Sequence, residues 1–361
     1  MTEDAAALPG RGRLKPLIGK ARNLLRQELT ELSAEDLVLV ACSGGPDSLA
    51  LASVAAFFAR RKSIRVGAVV VDHGLQPGSA AVAQRTAESL RRLGLDPVEV
   101  RAVQVGSADG PEAAARTARY AALEAVAKEC GAAMVLLGHT LDDQAEQVLL
   151  GLARGSGTRS LAGMPQRRHS SSGLIYLRPF LELRRAETIQ ICRIEGLQPW
   201  LDPSNQDPRF ARSRVRHRVL PLLEAELGPG VAESLFRSAR ILAQDADYLD
   251  QLAREAYRAC VESSSNPGEI LLPEEELRAH PVAIRQRILA LAVTALGGVQ
   301  PSFERLLAAE GLLRRTGSAG PIQLSGKVSI YRRSRAELAQ NSPRDSKQAA
   351  KYGKLVVRRD S

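Results

Sequence analysis

With 361 residues and 44% hydrophobic content, the chain is long enough to bury a sizeable core and is expected to hold two domains, or three small modules. Charges interrupt every apolar run well short of a membrane span, and Met1-Thr2-Glu3-Asp4 lacks the basic-then-apolar order of a leader, so a soluble, cytoplasmic protein with no membrane partner is expected. The four cysteines, Cys42, Cys130, Cys192 and Cys260, are too scattered for a C-x-x-C metal or redox site or a disulfide framework, and a net charge of +10 favours a polyanionic partner.

Residues 1–13 read as a flexible start, and 16–32 as an amphipathic helix leading into an apolar strand at 37–41. A glycine loop, Ser43-Gly44-Gly45-Pro46-Asp47-Ser48, and a helical pattern over 49–61 follow directly. Apolar runs at 66–71, 97–103 and 133–138 then alternate with helical segments at 80–93 and 112–130. This alternation predicts an open, doubly wound parallel α/β sheet of Rossmann-like type, where ligands gather outside the carboxyl ends of the strands. The glycine loop, Asp72-His73 and His139-Thr140 all fall at such ends, so topology alone predicts their convergence. The serine-rich stretch 169–173 reads as a surface loop.

Leucines and alanines at helical spacing predict a long linker helix over 231–262, which 263–268 break. Helical patterns at 282–296 and 302–313 and a hairpin at 322–332, turning at Ser325-Gly326, predict a small α+β C-terminal domain. The expected division is a catalytic domain over 14–230, the linker over 231–262, the small domain over 263–333 and a flexible basic tail over 334–361. No internal repeat is visible.

The paired glycines let the backbone bend sharply and turn its N–H groups toward an anion, while the following helix adds the positive end of its dipole. Unlike a Walker A loop, the segment has no Lys placed to reach terminal phosphates, so it suits a pyrophosphate held by hydroxyls and amides. A plain strand-to-helix turn capped by Asp47 or Ser48 is the alternative.

Three further segments carry chemistry. In His139-Thr140-Leu141-Asp142-Asp143-Gln144-Ala145-Glu146, helical spacing brings His139 near Asp143 and Asp142 near Glu146; Thr140 with Asp143 also fits a capping box. Arg154-Gly155 fits either a ligand contact or a helix C-terminus. Arg116 and Arg119 share a helix face that aims at phosphates or at solvent. After the turn Asp202-Pro203-Ser204-Asn205, the density of Arg209, Arg212, Arg214, Arg216 and Arg218 fits an RNA-backbone footprint or a solvated helix surface. Aromatics at 4% argue against recognition by stacking many unpaired bases.

The string SGGPDS resembles the pyrophosphate-loop signature of N-type ATP pyrophosphatases, which split ATP between its α- and β-phosphates. Together with VDHGLQ at 71–76, the arginine pair before Tyr120, HTLDDQAE, RGSG and WLDPSNQD with its arginine-rich continuation, it resembles the tRNA(Ile)-lysidine synthetase family over about residues 37–222. The downstream helices and hairpin resemble that family's first C-terminal domain. The resemblance implies an adenine nucleotide α hydrolase type of sheet and a ligase forming a carbon–nitrogen bond. Such an enzyme uses ATP, Mg²⁺ and L-lysine to convert the wobble cytidine of a CAU-anticodon tRNA(Ile) to lysidine, releasing AMP and pyrophosphate. The cytosine O2 attacks the α-phosphate, and the lysine ε-amine then displaces AMP.

By the same resemblance, Ser43, Gly44, Gly45, Pro46, Asp47, Ser48, Asp72, His73, His139, Arg154 and Gly155 bind ATP, and Asp47 also positions Mg²⁺. Arg119 and His139, and more weakly Arg116, stabilise charge at the transferring phosphate. Asp142, Asp143 and Glu146 bind lysine, with Asp143 orienting or deprotonating its amine. A carboxylate near pKa ~3.9 is a poor base for an ammonium near ~10.4, which favours positioning unless burial shifts one of them. Arg209, Arg212, Arg214, Arg216, Arg218 and the small C-terminal domain bind tRNA. Gln76 stands where the family often has Arg, and Ser213 where Asn is usual. The length implies that acceptor-stem recognition rests on the single small domain.

The rival readings are another pyrophosphate-loop enzyme (a tRNA thiolation enzyme, GMP synthetase or NAD synthetase) and a non-catalytic RNA-binding protein with an inactive nucleotide fold. Pyrophosphate release in the presence of tRNA separates enzyme from binding protein. Oligomeric state is open, a homodimer being one expectation.

Overall fold

The computed structural model describes residues 15–74, 76, 78–104, 111–264, 266–334 and 353–360. The chain divides into two compact units, Met1–Leu242 and Ala243–Ser361. The first runs α1 (Pro16–Glu28), β1 (Leu37–Ala41), α2 (Pro46–Arg60), β2 (Arg65–Asp72), α3 (Ser79–Arg92), β3 (Val98–Ala102), α4 (Pro111–Cys130) and β4 (Ala132–Leu137). It continues through α5 (Leu141–Ala153), α6 (Thr158–Leu161), the hairpin β5 (Arg167–His169) and β6 (Ile175–Leu177), α7 (Arg185–Ile194), α8 (Ala211–Arg214), a π-helical turn Val215–Val219 and α9 (Leu220–Leu227). The helix α10 (Val231–Cys260) carries the chain from the first unit into the second.

The strand order is β3-β2-β1-β4-β6-β5, parallel except for β5, which turns back along β6 through the 169–173 loop. Every residue of β1 is buried, as a central strand covered on both faces requires. Val38 and Val40 join α2 and α7 in one core, whereas Leu37, Leu39 and Ala41 pack with Leu123, Val126 and Ala127 of α4 on the other face. The order reverses between β1 and β4, and the crevice at that switch point opens at their carboxyl ends. The glycine loop follows β1, Asp72 ends β2 and His139 follows β4, so the expected convergence is observed.

The second unit contains β7 (Glu262–Ser263), β8 (Glu269–Pro273), α11 (Glu274–Ala279), α12 (Val282–Ala295), α13 (Phe303–Gly311), β9 (Ala319–Leu324), β10 (Val328–Arg333) and β11 (Lys354–Arg359). Its antiparallel sheet has the order β7-β8-β11-β10-β9. This corrects the expected tail: residues 354–359 form an interior strand paired on both edges, with Leu355, Val356 and Val357 fully buried. The basic residues on either side had disguised a three-residue apolar run. The compact units also meet inside α10, after Leu242, rather than at the expected boundaries of 230 and 262. The expected flexible start, 1–13, and residues 335–352 of the expected tail lie outside the described residues.

Candidate active site

In the loop after β1, Gly44 has φ +82, a left-handed conformation, and a Cβ there would lie 2.5 Å from Thr86 Oγ1. Gly45 caps α2 and Pro46 occupies its first turn, where a missing N–H is harmless. Ser48 holds the bend together: its hydroxyl accepts from Ser43 N (3.2 Å), donates to Gly45 O (3.1 Å) and lies 3.3 Å from Ser43 Oγ. Ser48 is thus turned into the loop as a brace. From outside, Trp200 N donates to Gly44 O (2.9 Å), and Gln76 Nε2 donates to Asp202 Oδ1 (2.7 Å). The departure Gln76 therefore ties the β2 loop to the Asp-Pro-Ser-Asn turn.

The end of β4 approaches α2 so closely that a Cβ on Gly138 would sit 3.0 Å from the Asp47 carbonyl and Ser48 Cα. Backbone cannot yield as a side-chain tip can. Gly138→Ala is expected to cost about 1–3 kcal/mol and to weaken ATP binding, read by denaturant unfolding and nucleotide titration. Unchanged values in both would show that the two elements separate freely.

Two imidazoles and two guanidiniums gather at this crevice. His139 Nδ1 and His73 Nδ1 are buried without a hydrogen-bond partner. Burial, reinforced by Arg178 and Arg119, lowers the His139 pKa to about 3 despite the opposing Asp143, so the ring is neutral. Burial and Arg119 likewise lower His73. Arg119 has no carboxylate partner among the described residues and bears electrostatically on Cys42, at the start of the loop. The arrangement suits a bound anion.

Beside it lies an ion cluster. Asp143 Oδ2 accepts from Thr140 N and Oγ1 (2.8 and 2.9 Å), which realises the capping box. Its Oδ1 faces Arg212 (3.0 Å), Arg216 (3.2 Å) and Arg185 (3.4 Å). Glu146, with no exposed surface, accepts from Arg212 Nε (2.7 Å) and Arg216 Nε (2.6 Å). Burial would raise the Asp143 pKa, but Arg212, Arg185, His139 and Arg216 prevail and hold it at about 2. Asp142 accepts from Arg185 N (2.7 Å) and Arg184 Nε (3.2 Å). Arg212 and Arg216 lie on either side of the step into the π-helical turn, which precedes Pro221; that residue has no N–H to give a regular helix and its ring crowds the preceding turn.

Asp47 is held from α7: Thr188 Oγ1 donates to Oδ1 and Arg185 Nη2 lies 3.1 Å from Oδ2. Burial outweighs Arg185 and raises its pKa to about 6. The folded state therefore binds this proton more tightly than the unfolded chain. The resulting stabilisation is complete below about pH 4 and is lost as pH rises through 6. Relative to wild type, Asp47→Asn is expected to gain about 1–3 kcal/mol between pH 4 and 7, measured as the difference in unfolding free energy. His139, whose shift works in the opposite sense, is common to both proteins and cancels. A difference independent of pH would mean that Asp47 is ionised throughout.

Several expected roles change with this geometry. Both Asp47 oxygens already have protein donors, and no group of three or more His, Cys, Asp or Glu placed to hold a metal occurs among the described residues, so a Mg²⁺ at Asp47 would share these oxygens and take its other ligands from phosphate and water. Arg154 and Gly155 follow the last residue of α5, with Gly155 at φ +65, and so end the helix a rise of ~20 Å from its start beside His139. Arg212 and Arg216 are turned inward onto the acids expected to bind lysine. Arg209 clamps Asp207, and Arg214 donates to the Pro208 and Arg209 carbonyls. Exposed Arg214, His217 and Arg218 line a cavity of about 430 Å³ with Gln206, Pro208 and Ser213. Asp72 Oδ1 accepts from Gly74 N at the mouth of the crevice. Arg178, Arg184, Arg185 and Thr188 were not singled out from the sequence. Arg178, directly after an apolar strand, was the one that topology could have flagged.

The thiols of Cys42, Cys130, Cys192 and Cys260 are free, and burial raises the pKa of each, that of Cys192 to about 12. Nothing here resembles an activated thiolate. No helix among the described residues is long and apolar enough to cross a membrane.

Comparison with known proteins identifies the family. The PP-loop domain family matches residues 19–223. The tRNA(Ile)-lysidine synthase of Leifsonia xyli is 53% identical over 80% of this chain and 86% of its own length, and that of Thermobifida fusca is 52% identical over 78% and 84%. Among solved structures, the U34-tRNA thiolase NcsA of Methanococcus maripaludis, with its [4Fe-4S] cluster, superposes with a TM-score of 0.52 at 20% identity, covering 63% of this chain and 80% of that one. That likeness shows the fold. With a PP-loop domain over more than half its length and relatives above 50% identity, the chain belongs to the tRNA(Ile)-lysidine synthase family.

Proposed function

We propose that the protein is an ATP-dependent ligase that joins L-lysine to C2 of the wobble cytidine in CAU-anticodon tRNA(Ile), in the cytoplasm. The observation that carries this reading is the adjacency of two unlike charge environments. A glycine loop beside Arg119 and neutral His139 suits the phosphates of ATP, and the buried carboxylates Asp143 and Glu146 suit an ammonium. The first step requires a phosphate-binding surface to stabilise the departing pyrophosphate while the cytosine O2 takes the α-phosphate. The second requires an anionic pocket that presents an amine to the same carbon.

Within this scheme Arg119 is the counter-charge for the transferring phosphate, and the Ser48-braced loop gives its amides to the pyrophosphate. Asp143, held at about pKa 2 while Arg212, Arg185 and Arg216 face it, is ionised and serves to hold the incoming ammonium, which gives up a proton to solvent before its amine attacks. Lysine enters by exchange: its ε-ammonium takes over carboxylate oxygens now held by Arg212 and Arg216, and the freed guanidiniums turn to RNA phosphate. Mg²⁺ would arrive on the phosphates of ATP and neutralise them. Arg214 and Arg218, with the second unit, complete the RNA footprint. Free inert thiols disfavour thiolation.

Incubating the protein with ATP, Mg²⁺, bulk tRNA and each labelled amino acid tests the assignment. Lysine label at the wobble cytidine is expected, with one pyrophosphate released per lysine incorporated; sulfur transfer, or pyrophosphate release without amino-acid incorporation, would overturn it. Light scattering tests the homodimer.

A further inference from the structure

Until lysine displaces them, Arg212 and Arg216 are neutralised by Asp143 and Glu146, so the first hold on the RNA backbone near the target base falls to other cations. One group of arginines in the first unit has no ion-paired carboxylate among the described residues. Arg116 and Arg119 lie on α4, Arg168 on β5, and Arg178 directly after β6, all around Tyr120. The Arg168 guanidinium lies 4.8 Å from the Tyr120 ring centre and 4.9 Å from that of Tyr176, and Arg116 lies 5.1 Å from Tyr120. Arg178, only 2% exposed, has just neutral acceptors, Pro165 O (2.8 Å) and Tyr120 Oη (3.5 Å). The Nε atoms of Arg168 and Arg178 are buried without partners. The nearby Glu124 accepts from the Tyr176 hydroxyl instead. Arg167, the neighbour of Arg168 in β5, shows the contrast, since Glu28 and Glu31 both neutralise it.

Buried cations without counter-charges are costly and call for an anion. A mononucleotide would need only the inner end of this set, where Arg119 acts on Cys42 and His73. The set continues outward to Arg116, which is exposed. A stripe running from crevice to solvent suits an anion with charges in series. Aromatic faces also hold the Arg168 plane still, so that its edge can present two parallel N–H groups to one phosphate.

We infer that the arginine stripe Arg116–Arg168–Arg178 around Tyr120 is an RNA-backbone site, which takes the phosphates flanking the nucleotide that enters the crevice. This rests on the proposed RNA substrate. Arg116 and Arg168 are the contacting members, and the enclosed Arg178 acts through its field.

The test is tRNA binding across a salt series for wild type, Arg116→Gln, Arg168→Gln and the double variant, with inorganic pyrophosphate binding and melting measured alongside. Each substitution is expected to flatten the slope of log K against log salt by about 0.7–0.9, and the double variant to bind roughly tenfold more weakly in low salt. Pyrophosphate binding should stay within about twofold, since the phosphate loop is untouched. Where Arg168→Gln melts early, Arg168→Lys decides, because it keeps the charge and should keep the slope. Steep wild-type salt dependence with unchanged slopes in the variants overturns the stripe but leaves the enzyme assignment standing. Equal loss of tRNA and pyrophosphate binding overturns it in favour of a nucleotide site. No tRNA binding by wild type removes both.

Discussion

Asp143→Asn is expected to separate the two chemical steps, leaving pyrophosphate release intact while lysine incorporation falls at least ~100-fold, the scale of a lost electrostatic contact in a closed site. The amide preserves the volume and an oxygen for Thr140, so the helix entrance keeps its cap. It removes the one charge that faces Arg212, Arg216 and Arg185 at once and that would hold the incoming ammonium. If Asp143 served only the cap and the ion cluster, stability would fall by about 3–5 kcal/mol, the scale of a buried network broken from one side, with both steps retained. Single-turnover assays that follow pyrophosphate and lysine separately, with a melting curve, distinguish these outcomes. Equal loss of both steps would place Asp143 at the nucleotide.

The parts of this site that come from short segments were legible in the sequence. The strand at 37–41, the glycine loop and the start of α5 each carry their signal within a few residues: an all-apolar run, paired glycines, a Thr-x-x-Asp cap. Pairing over long separations was not legible. Arg212 and Arg216 read as an RNA footprint because nothing near them in sequence is acidic enough to neutralise them; their partners, Asp143 and Glu146, lie 66 to 73 residues away. Ser48 read as a phosphate ligand, and its inward turn depends on a loop conformation that composition does not specify. Strand β11 was hidden for a related reason, since Lys354, Arg358 and Arg359 frame its buried residues with charges typical of a tail. For the arginines a distant partner was missing, for Ser48 the loop conformation, and for β11 flanking charge hid a short apolar run.

Glu146→Gln carries the second large effect, this time on stability. Glu146 is wholly buried and receives both Arg212 and Arg216, so the amide leaves these two guanidiniums to share Asp143 with Arg185. Breaking such a buried network from one side costs about 3–5 kcal/mol, because the remaining charges stay desolvated without compensation. Removing the cations as well should restore most of that loss. Glu146→Leu combined with Arg212→Met and Arg216→Met replaces the charges with apolar volume and is expected to lie within about 1–2 kcal/mol of wild type, though inactive in lysine transfer. Denaturant unfolding of the single and triple variants, with circular dichroism to verify helix content, reads both values. A single variant as stable as wild type would show that the arginines leave for solvent at little cost. The cluster would then be loosely held, and lysine could reach Glu146 before any RNA is bound. A large cost recovered in the triple variant instead means that the acids are locked until something of equal charge draws the arginines away, so that lysine affinity rises when tRNA is present.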